Sequence, residues 1–142
     1  MKGYLFAIIF ILFGGIFVTA NAQATGRGAT SVLFELKAGQ TKNIPGSEAK
    51  IKFLNVMEDS RCPEGTKCIW AGNAKVKLRA TNKRKTRVFD LNTAKGATDY
   101  SFDGYNIRLV KVEPNVKVNE HIRQREYVVT LTAIPPGPTG KG

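Results

Sequence analysis

The side chains with the most reactive chemistry are few. The 142-residue chain holds two cysteines, Cys62 and Cys68, and one histidine, His121. A Ser-His-Asp hydrolase would have to use His121, and no Gly-x-Ser-x-Gly sequence accompanies it. His121 lies in a polar stretch, where a solvated imidazole is the commoner role. No acidic pair of the kind that a glycosidase needs stands out either. The sequence therefore predicts no catalytic residues and a protein that is not an enzyme.

The sequence also has few residues that could bind a metal ion or a cofactor. Two cysteines and one distant histidine fall short of the four ligands of a structural zinc site, and oxidised cysteines cannot bind zinc. Glu58-Asp59 and the pair Asp99 and Asp103 lack the spacing of a calcium-binding loop. Glycine-rich phosphate loops are absent. We expect no metal ion and no cofactor.

The first 22 residues carry the features of an export signal. Lys2 supplies a positive start, apolar residues follow as far as Val18, and Ala20-Asn21-Ala22 fits the small-residue cleavage pattern. The alternative is an uncleaved anchor, but an apolar stretch of about 15 residues is shorter than the roughly 20 that span a bilayer. We expect a cleaved signal and an exported protein, periplasmic or extracellular, with no transmembrane span after cleavage.

In an exported protein, Cys62 and Cys68 are expected to form a disulfide. The ring that they close has about seven residues, which corresponds to roughly 2–2.5 kcal/mol of stabilisation. The flanking residues are expected to brace this loop, and they are Asp59, Arg61, Trp70 and Gly72. The alternative is that the loop is a rigid, exposed recognition element, because a pinned turn loses little entropy on binding.

Each bracing residue has an expected part. Asp59 and Arg61 are expected to form a charge-assisted hydrogen bond. We expect Trp70 to pack under the loop or at the start of the next strand. Gly72 is expected to let the backbone bend into that strand.

The sequence Asp59-Ser60-Arg61-Cys62-Pro63, followed by Cys68-Ile69-Trp70-Ala71-Gly72, resembles a motif of small, largely uncharacterised exported bacterial proteins and lipoproteins. The similarity covers about 14 residues. It implies an envelope or secreted β domain and no particular activity. The lipid-bearing cysteine of the lipoprotein members is missing here, so membrane anchoring is not implied.

A basic segment follows the loop. Seven cations lie within 13 residues that contain no acid, and they are Lys75, Lys77, Arg79, Lys83, Arg84, Lys85 and Arg87. On a hairpin whose apolar face packs inward, they would make one positive surface for a polyanion. The alternative is a solvated face. Nucleic acid is an unlikely partner for an exported protein, and Phe89 is the only aromatic residue near enough for base stacking.

Alternation of apolar and polar residues predicts an all-β fold. The expected strands are residues 32–37, 41–44, 50–57, 74–81, 86–91, 98–102, 105–112 and 125–134, with Met57 on the same face as Ile51 and Phe53. Residues 115–124 are expected to form a loop, with a short helix as the alternative. Seven or eight short antiparallel strands predict a β-sandwich, with a small barrel as the alternative.

The expected organisation is a signal peptide (1–22), a flexible N-terminus (23–30), a β domain (31–134) and a disordered tail (135–142). Without the signal, the chain has 21 basic and 11 acidic residues, a net charge of +10. We expect a non-enzymatic module that binds an anionic envelope component or a partner protein. The alternative is a small protease inhibitor that presents Lys67 on the disulfide loop. The sequence predicts no oligomeric state.

Overall fold

The computed structural model describes residues 30–137. The predicted signal peptide, most of the predicted flexible N-terminus and residues 138–142 of the predicted tail lie outside this range. Within it, the strands are β1 (Val32–Lys37), β2 (Thr41–Asn43), β3 (Lys50–Asp59), β4 (Ala74–Thr81), β5 (Thr86–Asn92), β6 (Asp99–Phe102), β7 (Tyr105–Glu113) and β8 (Val128–Ile134). A 3-10 helix, Gln124–Glu126, precedes β8. No helix of residues 30–137 is long and apolar enough to cross a bilayer.

The strands form two antiparallel four-stranded sheets, which confirms the predicted sandwich. The first sheet has the order β1-β8-β7-β6 and the second has the order β2-β3-β4-β5. Apolar side chains from both inner faces make one core. Its largest fully buried members are Phe53, Phe102, Leu36, Ile44, Ile51, Leu78, Leu91, Ile107, Leu131, Val76 and Val129.

The predicted hairpin is formed by β4 and β5. Leu78 lies opposite Phe89, and Val76 lies opposite Leu91, with all four side chains buried in the core. Residues between them in sequence project from the other face, because side chains alternate along a strand. The second sheet thus has one packed face and one face in water.

Strand β3 departs from the predicted alternation, and the inward position given to Met57 was wrong. Met57 is exposed and Val56 is buried instead. The pairing with β4 shifts between Phe53 and Asn55, and again between Val56 and Glu58. Each extra residue at such a bulge reverses the face on which the following side chains lie.

Strand β8 begins later than predicted, at Val128. The preceding residues form the 3-10 turn, which is closed by hydrogen bonds from the backbone and guanidinium of Arg123 to the carboxylate of Glu126. Tyr127 is buried, as its predicted register requires.

Candidate functional site

The disulfide-closed segment connects β3 to β4 at one end of the second sheet. Cys62 and Cys68 are bonded, with their Cα atoms 5.9 Å apart, which confirms the predicted disulfide. The backbone N–H of Ser60 donates to the carbonyl oxygen of Asn73 at 2.8 Å. Because its ends are held together, the segment between them, residues 61–72, is an Ω-loop; we call it the disulfide loop.

Gly72 is required where the disulfide loop returns to the sheet. Its φ is +70°, a conformation that side chains with a Cβ rarely adopt. A Cβ at this position would lie 2.0 Å from the carbonyl oxygen of Ser60 and 2.7 Å from the Cα of Arg61. The bend predicted for Gly72 is therefore imposed by close contact between the two ends of the loop.

Arg61 fastens the disulfide loop to both sheets. Its Nη2 lies 2.7 Å from Oδ2 of Asp59 at the end of β3, so the predicted bond between these residues is present. The same guanidinium donates to the backbone carbonyl oxygens of Val112 and Pro114, which belong to β7 and the turn after it. The hydroxyl of Tyr127 donates to Oδ2 of Asp59 at 3.0 Å. We call these three side chains the clasp.

The clasp sets the protonation of two of its members. Burial alone would raise the pKa of Asp59, but the hydrogen bonds and positive charge of Arg61 outweigh burial and hold that pKa below its usual value. Burial, with the hydrogen bond to Asp59, raises the pKa of Tyr127 to about 12. At neutral pH the clasp is thus an ionised carboxylate held by a cation and a neutral phenol.

Further bonds fix the disulfide loop and its neighbours. The N–H of Glu64 donates to the carbonyl oxygen of Val116 at 2.8 Å, and the side chain of Asn115 donates to Glu64. Nδ2 of Asn73 donates to Oδ1 of Asn92 at 2.8 Å, which links the end of the loop to the end of β5. The loop base is therefore anchored to both sheets.

The position predicted for Trp70 was wrong, because its side chain is 74% exposed and that of the adjacent Ile69 is 92% exposed. The junction of the sheets below the loop is occupied by the polar clasp, so the indole lies outside. Nζ of Lys95 lies 5.7 Å from the centre of the Trp70 ring. An open groove of about 850 Å³ runs beside the ring, with Lys75 and Lys95 in its lining.

The structure separates the seven cations of the predicted basic surface. Lys75, Lys77 and Arg79 share the outer face of β4, as the alternation predicted. Lys83 pairs with Glu48 at 2.9 Å, and Nζ of Lys85 lies 5.0 Å from the centre of the Phe102 ring. Arg84 is exposed in the turn, where its N–H donates to Asn82.

Arg87 differs most from the expectation. It lies opposite Ala80, whose side chain is in the core, and so it projects on the other side of the sheet from Lys77 and Arg79. The seven cations therefore do not form a single surface, because Arg87 on β5 projects from the inner side of the sheet and the cations of β4 project from the outer side.

Two cations from β3 join the outer face instead. Lys52 lies directly opposite Arg79, and Lys50 lies opposite Thr81. Neither lysine was predicted to belong to the basic surface, because both lie outside the hairpin. A signal was present, since Ile51 and Phe53 were predicted to point inward and strands adjacent in sequence usually pair. The resulting cationic face consists of Lys50, Lys52, Lys75, Lys77 and Arg79.

Acidic residues on the cationic face are confined to one end. Asp90 lies opposite Lys77 and pairs with Lys75 at 3.5 Å, and Glu58 lies opposite Lys75. The row through Lys52 and Arg79 has Thr41 and Val88 as its outer members and holds no acid. Among the described residues, neither Lys52 nor Arg79 has an ion-pair partner.

Comparisons with known proteins find no match. No protein-family model, no curated protein and no solved structure is significantly similar to the chain. The resemblance of the Cys62–Cys68 region to exported bacterial proteins therefore stays an expectation.

His121 is exposed at a cleft of about 280 Å³ that Asp59 and Tyr127 also line. Within residues 30–137 it makes no hydrogen bond or ion pair. No group of three or more potential metal ligands occurs in the same range. Lys67 is exposed beside a tight turn, in which the N–H of Thr66 donates to the carbonyl oxygen of Pro63. The inhibitor alternative stays a prediction that no specific contact favours.

Proposed function

We propose that the protein is an exported, non-enzymatic binding module whose cationic face contacts an anionic component of the cell envelope. The disulfide between Cys62 and Cys68 supports export, because such bonds persist in oxidising compartments. The sandwich would act as a rigid support for one charged surface.

The observation that carries the proposal is the juxtaposition of Lys52 and Arg79. Like charges directly opposite each other on neighbouring strands destabilise a sheet. Here the two cations lie side by side with no acid in their row. A stability cost of this kind is commonly found at functional sites. A polyanion laid across the face would relieve the repulsion.

The geometry of the face suits an extended anionic polymer. Neighbouring strands are about 4.8 Å apart, and successive side chains on one face of a strand are about 7 Å apart. Lys50, Lys52, Lys77 and Arg79 therefore lie within three neighbouring rows of the face. Lys52 is directly opposite Arg79, whereas Lys50 is opposite Thr81 and Lys77 is opposite Asn55. Such a surface binds by charge density without sequence recognition, and salt weakens the contact.

The test is retention of residues 23–142 on an immobilised sulfated polysaccharide such as heparin. The double variant Lys52→Gln/Arg79→Gln removes one lysine and one arginine from the cationic face. The control Lys37→Gln/Arg108→Gln removes the same two residue types from the outer face of the first sheet. We expect the first variant to elute at clearly lower salt than the control.

Equal elution of the two double variants would reject the cationic face as the binding surface. Absence of retention of the unsubstituted protein, even at low salt, would reject binding to a polyanion altogether. A partner protein would then be the function to pursue.

A further inference from the structure

Two adjacent apolar side chains near the C-terminal end of the disulfide loop are exposed to water, and we call this pair the tip. Ile69 is 92% exposed and Trp70 is 74% exposed. Scattered apolar residues on a surface are ordinary. An isoleucine and the chain's only tryptophan, adjacent and exposed on one loop, form an apolar point that the cationic face does not explain.

The loop that carries the tip is fixed at its base. The disulfide, the close approach at Gly72 and the bonds of Arg61 to both sheets fix the base of the loop. Within the described chain, Ile69 and Trp70 make no hydrogen bond. Because the backbone that carries the tip is fixed at its base, its insertion into a partner would cost little backbone entropy.

Lysines lie near the tip. Lys67 precedes it in sequence, and Nζ of Lys95 lies 5.7 Å from the centre of the Trp70 ring. Lys75 and Lys95 line the groove beside the ring, and Glu58 is the one acid in that lining. An apolar pair with neighbouring lysines has the composition of segments that lie in the interface of an anionic bilayer.

We propose that Ile69 and Trp70 insert into the interfacial region of an anionic lipid bilayer. Lys67, Lys75 and Lys95 would then contact the headgroups. The indole places an apolar body among the acyl chains and its N–H toward water, which is the arrangement that favours tryptophan at membrane interfaces. The groove beside the ring offers room for one headgroup between Lys75 and Lys95.

A bilayer fits the tip better than the other possible occupants. A stable protein interface buries about 800 Å² on each partner, whereas the apolar point consists of two side chains. An anionic polysaccharide would account for the lysines but not for Ile69, which has no polar or charged group to offer it. A bilayer accounts for both the apolar pair and the lysines.

The inference rests on the proposed function only for its long-range electrostatic attraction. Stable attachment of a peripheral protein usually needs two signals, an apolar insertion together with a polybasic patch. The cationic face begins at Lys75, which also lines the groove of the tip, so the two surfaces are continuous. Attraction by the face and insertion of the tip would act together.

The test uses vesicles of phosphatidylcholine with and without phosphatidylglycerol, and the fluorescence of Trp70. Because Trp70 is the only tryptophan, its emission reports the tip alone. On anionic vesicles we expect a blue shift and quenching by brominated lipid. The variant Ile69→Ser/Trp70→Ala has no tryptophan, so its partitioning is measured by co-sedimentation with the vesicles. It should lose more than tenfold in partitioning, because removing each inserted apolar side chain costs about tenfold or more. Leu33→Ser, an exposed apolar residue on the first sheet, is the matched control and should not change partitioning.

This design tests insertion of the tip and binding by the cationic face separately. The tip variant should keep its retention on heparin, and the Lys52→Gln/Arg79→Gln variant should lose it. Binding to anionic vesicles without a change in Trp70 emission would overturn insertion and leave the face as the contact. A blue shift on adding heparin alone would also overturn it, by assigning the tip to a polymer.

Discussion

Nη2 of Arg61 lies 2.7 Å from Oδ2 of Asp59, and this pair holds the disulfide loop at the junction of the two sheets. The side chain of Arg61 is 15% exposed and that of Asp59 is 10% exposed. Replacement of Arg61 by alanine would leave Asp59 without its cation and the carbonyl oxygens of Val112 and Pro114 without a donor. We expect the free energy of unfolding to fall by about 3 kcal/mol. Urea denaturation measures it.

Arg123→Ala is the control for this change. It also removes an arginine that donates two hydrogen bonds to a carboxylate, here both to Oε1 of Glu126, but this pair is exposed to water. Exposed pairs contribute little, so its effect on stability should be small. A loss of stability as large for Arg123→Ala as for Arg61→Ala would contradict the account of the clasp.

Acid should weaken the clasp. The pKa of Asp59 is lower in the folded protein than its ordinary value of 3.8. The stabilisation is therefore complete above the unfolded pKa and is lost as the pH falls through the lower, folded pKa. We expect the free energy of unfolding to decline below about pH 4, and Asp59→Asn to have a shallower decline than the unsubstituted protein. An unchanged pH profile in Asp59→Asn would show that other carboxylates are responsible, and Glu126→Gln would then be compared.

Gly72 offers a test of the loop base with a close control. Gly39 has a similar φ, +83°, but a Cβ there would meet nothing within 4 Å. Gly39→Ala should cost only the strain of the left-handed conformation, about 1–2 kcal/mol. Gly72→Ala adds a collision with the backbone of Ser60 and should cost about 3 kcal/mol or more. Equal losses in thermal or chemical denaturation would contradict the close approach seen at Gly72.

The repulsion between Lys52 and Arg79 predicts a trade-off between stability and binding. Lys52→Glu would create an attractive cross-strand pair, and we expect stability to rise by about 0.5 kcal/mol. The same variant should elute from heparin at lower salt. Lys37→Glu, which makes the same charge change on β1 of the first sheet, should affect heparin elution much less. A destabilised Lys52→Glu protein, or one with unchanged elution, would argue against a functional origin for the repulsion.

The sandwich follows from the sequence because alternation records which face of each strand is buried. Strand β4 shows this best, with Val76 and Leu78 inward and Lys75 and Lys77 outward. The position of a bulge cannot be read from this alternation. Val56, and not Met57, faces the core because the pairing of β3 with β4 shifts at two bulges. The sequence of β3 alone does not reveal these bulges.

The candidate site was less predictable, for two physical reasons. The cationic face is assembled from β3 and β4, so Lys52 and Arg79 meet through strand pairing and not through closeness in sequence. Trp70 was expected to be buried because large aromatic side chains usually are. Here the space below the loop holds a polar clasp built on Arg61. Its bond to Asp59 was predictable from the local sequence, but its contacts with Val112 and Pro114 have no local sequence pattern.

The most direct test of the cationic face is lysine acetylation of the protein with and without bound heparin, followed site by site by mass spectrometry. The account predicts that bound heparin slows the modification of Lys50, Lys52 and Lys77 strongly. It predicts little change at Lys37 and Lys117, which lie outside the cationic face. Equal protection of all five lysines, or protection of Lys37 and Lys117 alone, would contradict the claim that the outer face of the second sheet is the binding surface.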